Sequence, residues 1–290
     1  MKLLMGRADM ALTIHVPYDC PNKCSFCINK NYYKGKGNLI EILKTINGVR
    51  NAIPISEFVI SGGEPTADII TLERIARYIG PRKIFINTTV LKNTYQEFKA
   101  FLSKGLIAGI SVSRHTDSYA HDLKMMHNIA TDKEIMELAK YTDVRINCTM
   151  SDDTDVEGVI NRWAQYQTVV SFRKDFRKTT RDNLHGKREA DDIFGHVQGY
   201  IGSILASMCD VCDTRRILIE REDLHNQIVF HRGLENTSYV FDKDHIVVND
   251  LIIMPNGHLK YDWNSFELVN LSEPKVDITK LINPSYKNED

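Results

Sequence analysis

The sequence lacks any apolar run close to the ~18 residues that a membrane-spanning helix requires. We also expect no signal peptide, because Arg7 and Asp9 interrupt the stretch that would form its apolar region. The formal net charge is −1, so the chain has no general basic excess that would attract nucleic acid. A content of 42% hydrophobic and 26% charged residues is ordinary for a soluble globular protein. These absences together predict a cytoplasmic protein.

Cysteine is scarce and unevenly placed. The chain has 6 cysteines, and five of them form two short clusters: Cys20, Cys24 and Cys27, then Cys209 and Cys212, with Cys148 apart from both. Disulfide bonds rarely persist in a reducing cytosol, so such clusters indicate metal or redox sites.

Short apolar segments alternate with segments of helical spacing over the first two thirds of the chain. The predicted strands are Leu12–Val16, Glu57–Ile60, Lys83–Asn87, Leu106–Val112, Asp143–Thr149 and Thr168–Phe172. This alternation is typical of parallel βαβ units and favours a partial (β/α)6 barrel of the TIM type; a doubly wound sheet is the alternative. In both folds ligands bind at the carboxyl ends of the strands. A helix over Ile193–Met208 is predicted to close this domain.

The pattern changes after Met208. The remaining strand candidates are Ile217–Glu220, Gln227–Phe230, Ser238–Phe241, His245–Met254 and His258–Trp263. Pro255-Asn256-Gly257 predicts a hairpin turn, because Asn-Gly suits the positive φ angles of a type I′ loop. We therefore predict a core barrel over residues 1–208 and a β-rich extension over residues 209–290.

The first cysteine cluster, Cys20-Pro-Asn-Lys-Cys24-Ser-Phe-Cys27, carries the clearest chemistry. Structural iron–sulfur cubes usually have four cysteine ligands, so three thiolates leave one iron with an open coordination position. An open position is what a catalytic metal requires. The alternative is a structural zinc site, although zinc sites usually combine a cysteine pair with a distant second pair.

This CxxxCxxC spacing, with the aromatic Phe26 before the third cysteine, resembles the signature of the radical SAM superfamily. The segment Ser61-Gly62-Gly63-Glu64-Pro65, after the second strand, is similar to the GGE(P) motif of that family. The resemblance extends from Leu12 to about Met208. Two adjacent glycines allow a ligand to approach the backbone closely. In the family, the backbone carbonyls and the Glu receive the methionine ammonium of S-adenosylmethionine (SAM).

The resemblance implies a [4Fe–4S] cluster on Cys20, Cys24 and Cys27, and SAM as the second cofactor. It implies that one electron from a donor such as flavodoxin or ferredoxin cleaves SAM into methionine and a 5′-deoxyadenosyl radical, which abstracts hydrogen from a substrate. The SAM contacts that it implies are Phe26, Gly62, Gly63, Glu64, Ser113, Arg114 and Asn147. We expect Asn87, Thr88 and Thr89 to line the same cavity.

Cations crowd the segment that follows the sixth strand. Arg173, Lys174 and Arg177 would lie at the barrel mouth, where they would attract a phosphorylated metabolite, a nucleotide or a nucleic-acid base. The alternative is a solvated face without a ligand. The other function hypotheses are a peptide- or protein-modifying radical SAM enzyme, which we favour less because no peptide-recognition domain is evident before the barrel, and a non-enzymatic iron–sulfur or zinc protein.

The roles of Cys148, Cys209 and Cys212 stay open. Two or three further thiols are few for a second cluster, so we expect a zinc site or buried thiols instead.

Overall fold

The computed structural model describes residues 2–5, 10–24, 27, 36–150, 154–166, 168–174, 204–209, 214–221, 224–231, 239–242, 245–248 and 250–260. Phe26, Arg177 and Cys212 lie outside the described residues.

Fourteen strands and six α-helices make up this described part. The strands are β1 Lys2–Met5, β2 Met10–His15, β3 Ile55–Ser61, β4 Lys83–Thr88, β5 Gly109–Ser113, β6 Asp143–Met150, β7 Val169–Lys174, β8 Ile204–Cys209, β9 Thr214–Arg221, β10 Leu224–His231, β11 Tyr239–Asp242, β12 His245–Val248, β13 Asp250–Ile253 and β14 Leu259–Lys260. The helices are α1 Leu39–Ala52, α2 Ile69–Ile79, α3 Tyr95–Leu102, α4 Tyr119–Met126, α5 Asp132–Leu138 and α6 Val156–Ala164, with a short 3₁₀ helix at Pro65–Ala67. None of these helices is long and apolar enough to cross a bilayer.

Strands β2 to β7 form a parallel sheet in chain order, with helices in the connections. The predicted α/β fold with a partial TIM-like barrel of six units is therefore confirmed. One face of this sheet is mostly buried, as Leu12, Phe58 and Ile86 illustrate with 0% exposure. The intervening residues, such as Asn87 and Ser111, are half-buried on the opposite face.

The C-terminal strands extend this sheet at both ends. β13 pairs in parallel with β2, and β10 pairs in parallel with β7. β9 and β8 follow β10 in antiparallel pairing, while β14 pairs with β13. A second sheet has the order β1-β12-β11. Residues from the predicted β-rich extension thus flank both ends of the six-stranded unit.

Two sequence predictions about this region are wrong. The predicted helix Ile193–Met208 is a strand, β8, from Ile204 onward, because this short apolar run pairs with β9, and short apolar runs do not distinguish a strand from a helix. The predicted single strand His245–Met254 divides into β12 and β13, which join different sheets. Apolar spacing alone cannot reveal such a division, because both halves alternate in the same way.

Candidate metal and cofactor site

The loop that starts at Val16 and carries Cys20, Cys24 and Cys27, here called the cysteine loop, follows β2 at the carboxyl edge of the sheet. The amide of Val16 donates to the Ser61 carbonyl at 2.9 Å, so the start of the loop continues along β3. Cys24 is buried, whereas Cys20 and Cys27 are half-buried. The amide of Cys27 donates to the Cys24 carbonyl at 3.3 Å, which turns the chain between these two thiols.

The Cys20 thiol lies in a low-dielectric, negatively charged environment. Burial raises its pKa to about 12, the Glu64 carboxylate adds to the increase, and Cys24 and Cys27 contribute further. The three thiols therefore share one electrostatic neighbourhood, and a metal must displace the proton of Cys20 when it binds. Among the described residues no group of three His, Cys, Asp or Glu side chains could hold a metal ion as arranged. The residues fit a [4Fe–4S] cluster through the chemistry of their donor atoms. Three cysteine thiols lie in one loop, and soft sulfur ligands suit iron–sulfur clusters.

The Gly62-Gly63 turn packs directly on the cysteine loop. A Cβ atom at Gly63 would lie 2.1 Å from the Tyr18 carbonyl oxygen, and one at Gly62 would lie 2.9 Å from the Cα atom of His15. Gly62 also has a φ of +108°, a conformation that side chains disfavour. The hydroxyl of Tyr18 donates to the Pro65 carbonyl at 2.8 Å. The two motifs recognised in the sequence thus form one contiguous structure, and a side chain at either glycine would displace the loop.

Glu64 is 1% exposed and accepts hydrogen bonds from five donors. Its Oε1 accepts from the amide and hydroxyl of Thr66, at 2.9 and 2.8 Å, and from the hydroxyl of Thr88. Its Oε2 accepts from the amide and hydroxyl of Thr89 at 2.7 and 2.6 Å. A carboxylate offers about four lone-pair sites. Glu64 therefore fastens the end of β3 to the end of β4, and its contact with SAM stays a prediction.

Asn22, a residue that the sequence analysis did not single out, joins the cysteine loop to this network. Asn22 is 2% exposed, and its Nδ2 donates to the Thr89 hydroxyl at 2.9 Å. Thr89 in turn donates to Glu64, so one chain of hydrogen bonds runs from between the cysteines to the GGE(P)-like turn. Among the described residues the Asn22 Oδ1 has no hydrogen-bond partner. No local sequence pattern marks Asn22, because its partner is 67 residues away.

Arg114, predicted as a SAM contact, is fully buried and bonds to backbone carbonyls. Its Nη1 donates to the carbonyls of Thr89 and Ser113 at 2.9 and 2.6 Å, and its Nη2 donates to Ala130 at 2.7 Å. Burial lowers the pKa of Arg114 to about 10, so the guanidinium stays charged at neutral pH. The Arg114 side chain thus connects the ends of β4 and β5 to the start of α5 through hydrogen bonds.

Polar residues of neighbouring strands form two rows on the half-buried face of the sheet. In one row Asn87 pairs with Ser111. In the next row, nearer the carboxyl ends, Ser113 pairs with Asn147, which pairs with Ser171. Residues in parallel register project to the same face. Ser113 and Asn147, two of the residues predicted to contact SAM, are therefore adjacent. The Asn147 Oδ1 has no hydrogen-bond partner among the described residues.

Cys148 and Cys209, the other cysteines that the structure describes, lie on strands β6 and β8. Cys148 is fully buried on β6, and its Sγ donates to the His115 carbonyl at 3.7 Å. Burial raises the pKa of Cys148 above its usual range, so it is a neutral thiol. Cys209 ends β8, and β7, β10 and β9 lie between β6 and β8 in the sheet. This strand order separates Cys148 from Cys209 along the sheet.

A family model described as the Radical SAM superfamily matches residues 14–166 of the chain. Among curated proteins, none matches the sequence significantly.

Two solved structures of SuiB from Streptococcus suis share the fold. SuiB bound to the precursor peptide SuiA gives a TM-score of 0.61 at 13% identity, covering 95% of this chain and 65% of that chain. SuiB bound to S-adenosylmethionine gives 0.60 at 14% identity, covering 95% and 64%. The chain therefore spans slightly less than two thirds of the SuiB length. A structure of anSMEcpe with bound AdoMet and the Cp18Cys peptide gives 0.51 at 14% identity, covering 88% and 75%.

Proposed function

Because the chain belongs to the radical SAM superfamily, we propose that it is an enzyme that cleaves SAM reductively and modifies a peptide or protein substrate. The cofactors of this family are a [4Fe–4S] cluster and SAM, which together supply a 5′-deoxyadenosyl radical that abstracts a hydrogen atom. Flavodoxin or ferredoxin is the proposed electron donor.

Residues at neighbouring strand ends would bind the cluster and the different parts of SAM. Cys20, Cys24 and Cys27 would hold the cluster from the loop after β2. The turn at Gly62-Gly63 would receive the methionine end of SAM, since it lies against the same loop. Ser113 and Asn147 would contact the remainder of SAM from the half-buried face of the sheet. The Asn147 Oδ1 offers a hydrogen-bond acceptor for the N–H or O–H groups that SAM carries.

The proposal of a peptide substrate rests on the fold likeness to two proteins that were crystallised with peptides. The fold likeness to SuiB, crystallised with a precursor peptide, covers 95% of this chain and therefore includes residues beyond the barrel. The likeness to anSMEcpe, also crystallised with a peptide, covers 88%. The anionic substrate that the sequence analysis favoured is therefore the second candidate.

Isotope transfer tests the substrate class directly. The anaerobic, reconstituted enzyme is incubated with SAM, dithionite and a pool of perdeuterated peptides, and 5′-deoxyadenosine is analysed by mass spectrometry. We expect deuterium in 5′-deoxyadenosine, because the abstracted hydrogen atom comes from the substrate. The variant with Cys20, Cys24 and Cys27 replaced by Ala serves as the blank. Deuterium that enters only from labelled nucleotides or sugar phosphates would reject the peptide substrate and leave SAM cleavage intact.

The second candidate, an anionic substrate, is favoured by the position of Arg173. Arg173 lies near the carboxyl end of β7, in register with Thr149 on β6 and His231 on β10. Arg173 is two residues after Ser171 in β7, so both residues belong to the same face of the sheet. Ser171 is in register with Asn147, so this is also the face of Ser113 and Asn147. An arginine fork suits phosphate or carboxylate groups, because it donates two parallel hydrogen bonds.

Charge reversal at Arg173 separates the two candidates. If the substrate is anionic, Arg173→Glu should raise the KM of the substrate at least about tenfold, equivalent to about 1.4 kcal/mol. Substrate-independent formation of 5′-deoxyadenosine should not change. Lys83→Glu is the matched control, because Lys83 is an exposed cation at the opposite, amino-terminal end of β4. Equal KM values for the two variants at low salt would remove the anionic candidate.

A further inference from the structure

The C-terminal hairpin emerges at the edge of the sheet where the cysteine loop begins. β13 pairs in parallel with β2, with Leu251 opposite Leu12 and Ile253 opposite Ile14. The carboxyl ends of parallel strands meet at the same edge. The turn of the hairpin, residues 254–258, therefore adjoins the loop that carries Cys20, Cys24 and Cys27. Leu251, Ile253 and Leu259 are buried, so the hairpin is firmly packed.

Two hydrogen bonds join this turn to the end of the cysteine loop and to α1, the helix that follows it. The Pro255 carbonyl accepts from the amide of Asn38 at 2.8 Å, and the Gly257 carbonyl accepts from the hydroxyl of Thr45 at 2.6 Å. Asn38 is also the N-cap of α1, because its Oδ1 accepts from the amides of Ile40 and Glu41. One residue thus ends the cysteine loop, starts the next helix and contacts the hairpin.

Two close backbone approaches hold this segment between the hairpin and the start of the loop. Gly257 has a φ of +86°, and a Cβ atom there would lie 2.5 Å from the Cβ atom of Glu41. A Cβ atom at Gly37 would lie 1.8 Å from the Pro17 carbonyl oxygen. Residues at both ends of the cysteine loop are therefore in contact, and the hairpin contacts α1, the helix that follows the loop.

We propose that the hairpin of residues 250–260 is a positioning element for the cluster: it holds the end of the cysteine loop in place, which limits the positions that the three thiols can take when iron binds. The inference rests on the proposed cluster site. Fixing the ends of a loop during folding reduces the conformational entropy that ligand binding must otherwise remove. The hairpin lies far from the cysteines in sequence, and the proposed ligands are Cys20, Cys24 and Cys27 of the loop.

Gly257→Ala and Thr45→Val test this positioning role. The first places a methyl group against Glu41, and the second removes the hydroxyl donor with little change in shape. Gly80→Ala and Gly105→Ala are matched controls, because both glycines have positive φ, +81° and +69°, and a Cβ atom at either would meet nothing within 4 Å. Backbone strain is thus common to the three glycine variants, whereas the collision is specific to Gly257.

Two measurements are made on each variant. Hydrogen exchange of the metal-free protein reports the opening of residues 16–44, and loss of iron to a chelator reports retention of the reconstituted cluster. We expect Gly257→Ala and Thr45→Val to increase both rates about fivefold to tenfold, the effect of losing one hydrogen bond. The controls should leave both rates within about twofold of the parent, because surface changes away from such contacts have small effects.

Faster exchange without faster iron loss would overturn the proposal, since the hairpin would then not act on the cluster. Equal behaviour of Gly257→Ala and the controls in both measurements would also overturn it. A parent protein that binds no iron would instead reject the proposed function. In that case the exchange measurement would still decide whether the hairpin orders the cysteine loop.

Discussion

Replacing Cys20, Cys24 and Cys27 together by Ala should reduce the reconstituted iron content from about four atoms per chain to none, with the same loss of sulfide. A methyl group cannot coordinate iron, and the described side chains include no other thiol in this loop. The fold should persist, because Cys20 and Cys27 are only half-buried, and Cys24 packs in a small cluster with Met126 and Ile129 that is separate from the main core. Iron and acid-labile sulfide assays measure the loss, and circular dichroism checks the fold.

The other cysteines supply the control for this experiment. Cys148→Ala should keep the full iron content, because Cys148 is buried against His115 and lies apart from the cysteine loop. The double variant of Cys209 and Cys212 should also keep it. A triple variant that retained its iron would contradict the cluster assignment. Loss of about half of the iron in the double variant would instead indicate a second cluster.

Arg162→Met should lower the free energy of unfolding of the metal-free protein by about 3–5 kcal/mol, the usual cost of leaving a buried partner charge uncompensated. The Nη1 of Arg162 donates to Asp122 at 2.6 Å, and the Nε and Nη2 donate to Asp132 at 2.9 and 2.7 Å. The Asp122 side chain is 0% exposed, so its carboxylate depends on Arg162 rather than on water for compensation of its charge. Urea denaturation measures the change.

An exposed ion pair provides the matched control for Arg162. Arg77 pairs with Glu73 on the surface of α2, and its side chain is 58% exposed. Arg77→Met should therefore cost no more than about 1 kcal/mol. Similar losses in the two variants would show that the buried network contributes no more than a surface pair.

The pH dependence of the Arg162→Met deficit has a definite sign. Burial raises the pKa of Asp122, and loss of the neighbouring guanidinium should raise it further. A carboxyl group with a raised pKa in the folded state binds its proton more tightly there than in the unfolded chain. The deficit should therefore shrink as the pH falls toward about 4, the unfolded value for Asp.

Local sequence patterns determined the elements and the chemistry of this protein. Alternating apolar strands and helices predicted the parallel (β/α) barrel, because each element must bury its own apolar face wherever it lies in the fold. The resemblance of the three-cysteine spacing and the Gly62-Gly63 turn to the radical SAM signature implied the cofactors, and both motifs are local in the sequence. The family match over residues 14–166 confirms the recognition.

Contacts between distant segments were decided only by the tertiary structure. The SAM contacts of Glu64 and Arg114 stay predictions, but the structure adds that Glu64 binds three threonines and that Arg114 binds backbone carbonyls. Nothing in the sequence indicated that Asn22 reaches Thr89, or that the hairpin after β13 meets Asn38. Such contacts depend on strand order and register, which set the neighbours of each strand end across the sheet. Apolar periodicity specifies which face of a strand is buried, but it does not specify which strand lies beside it.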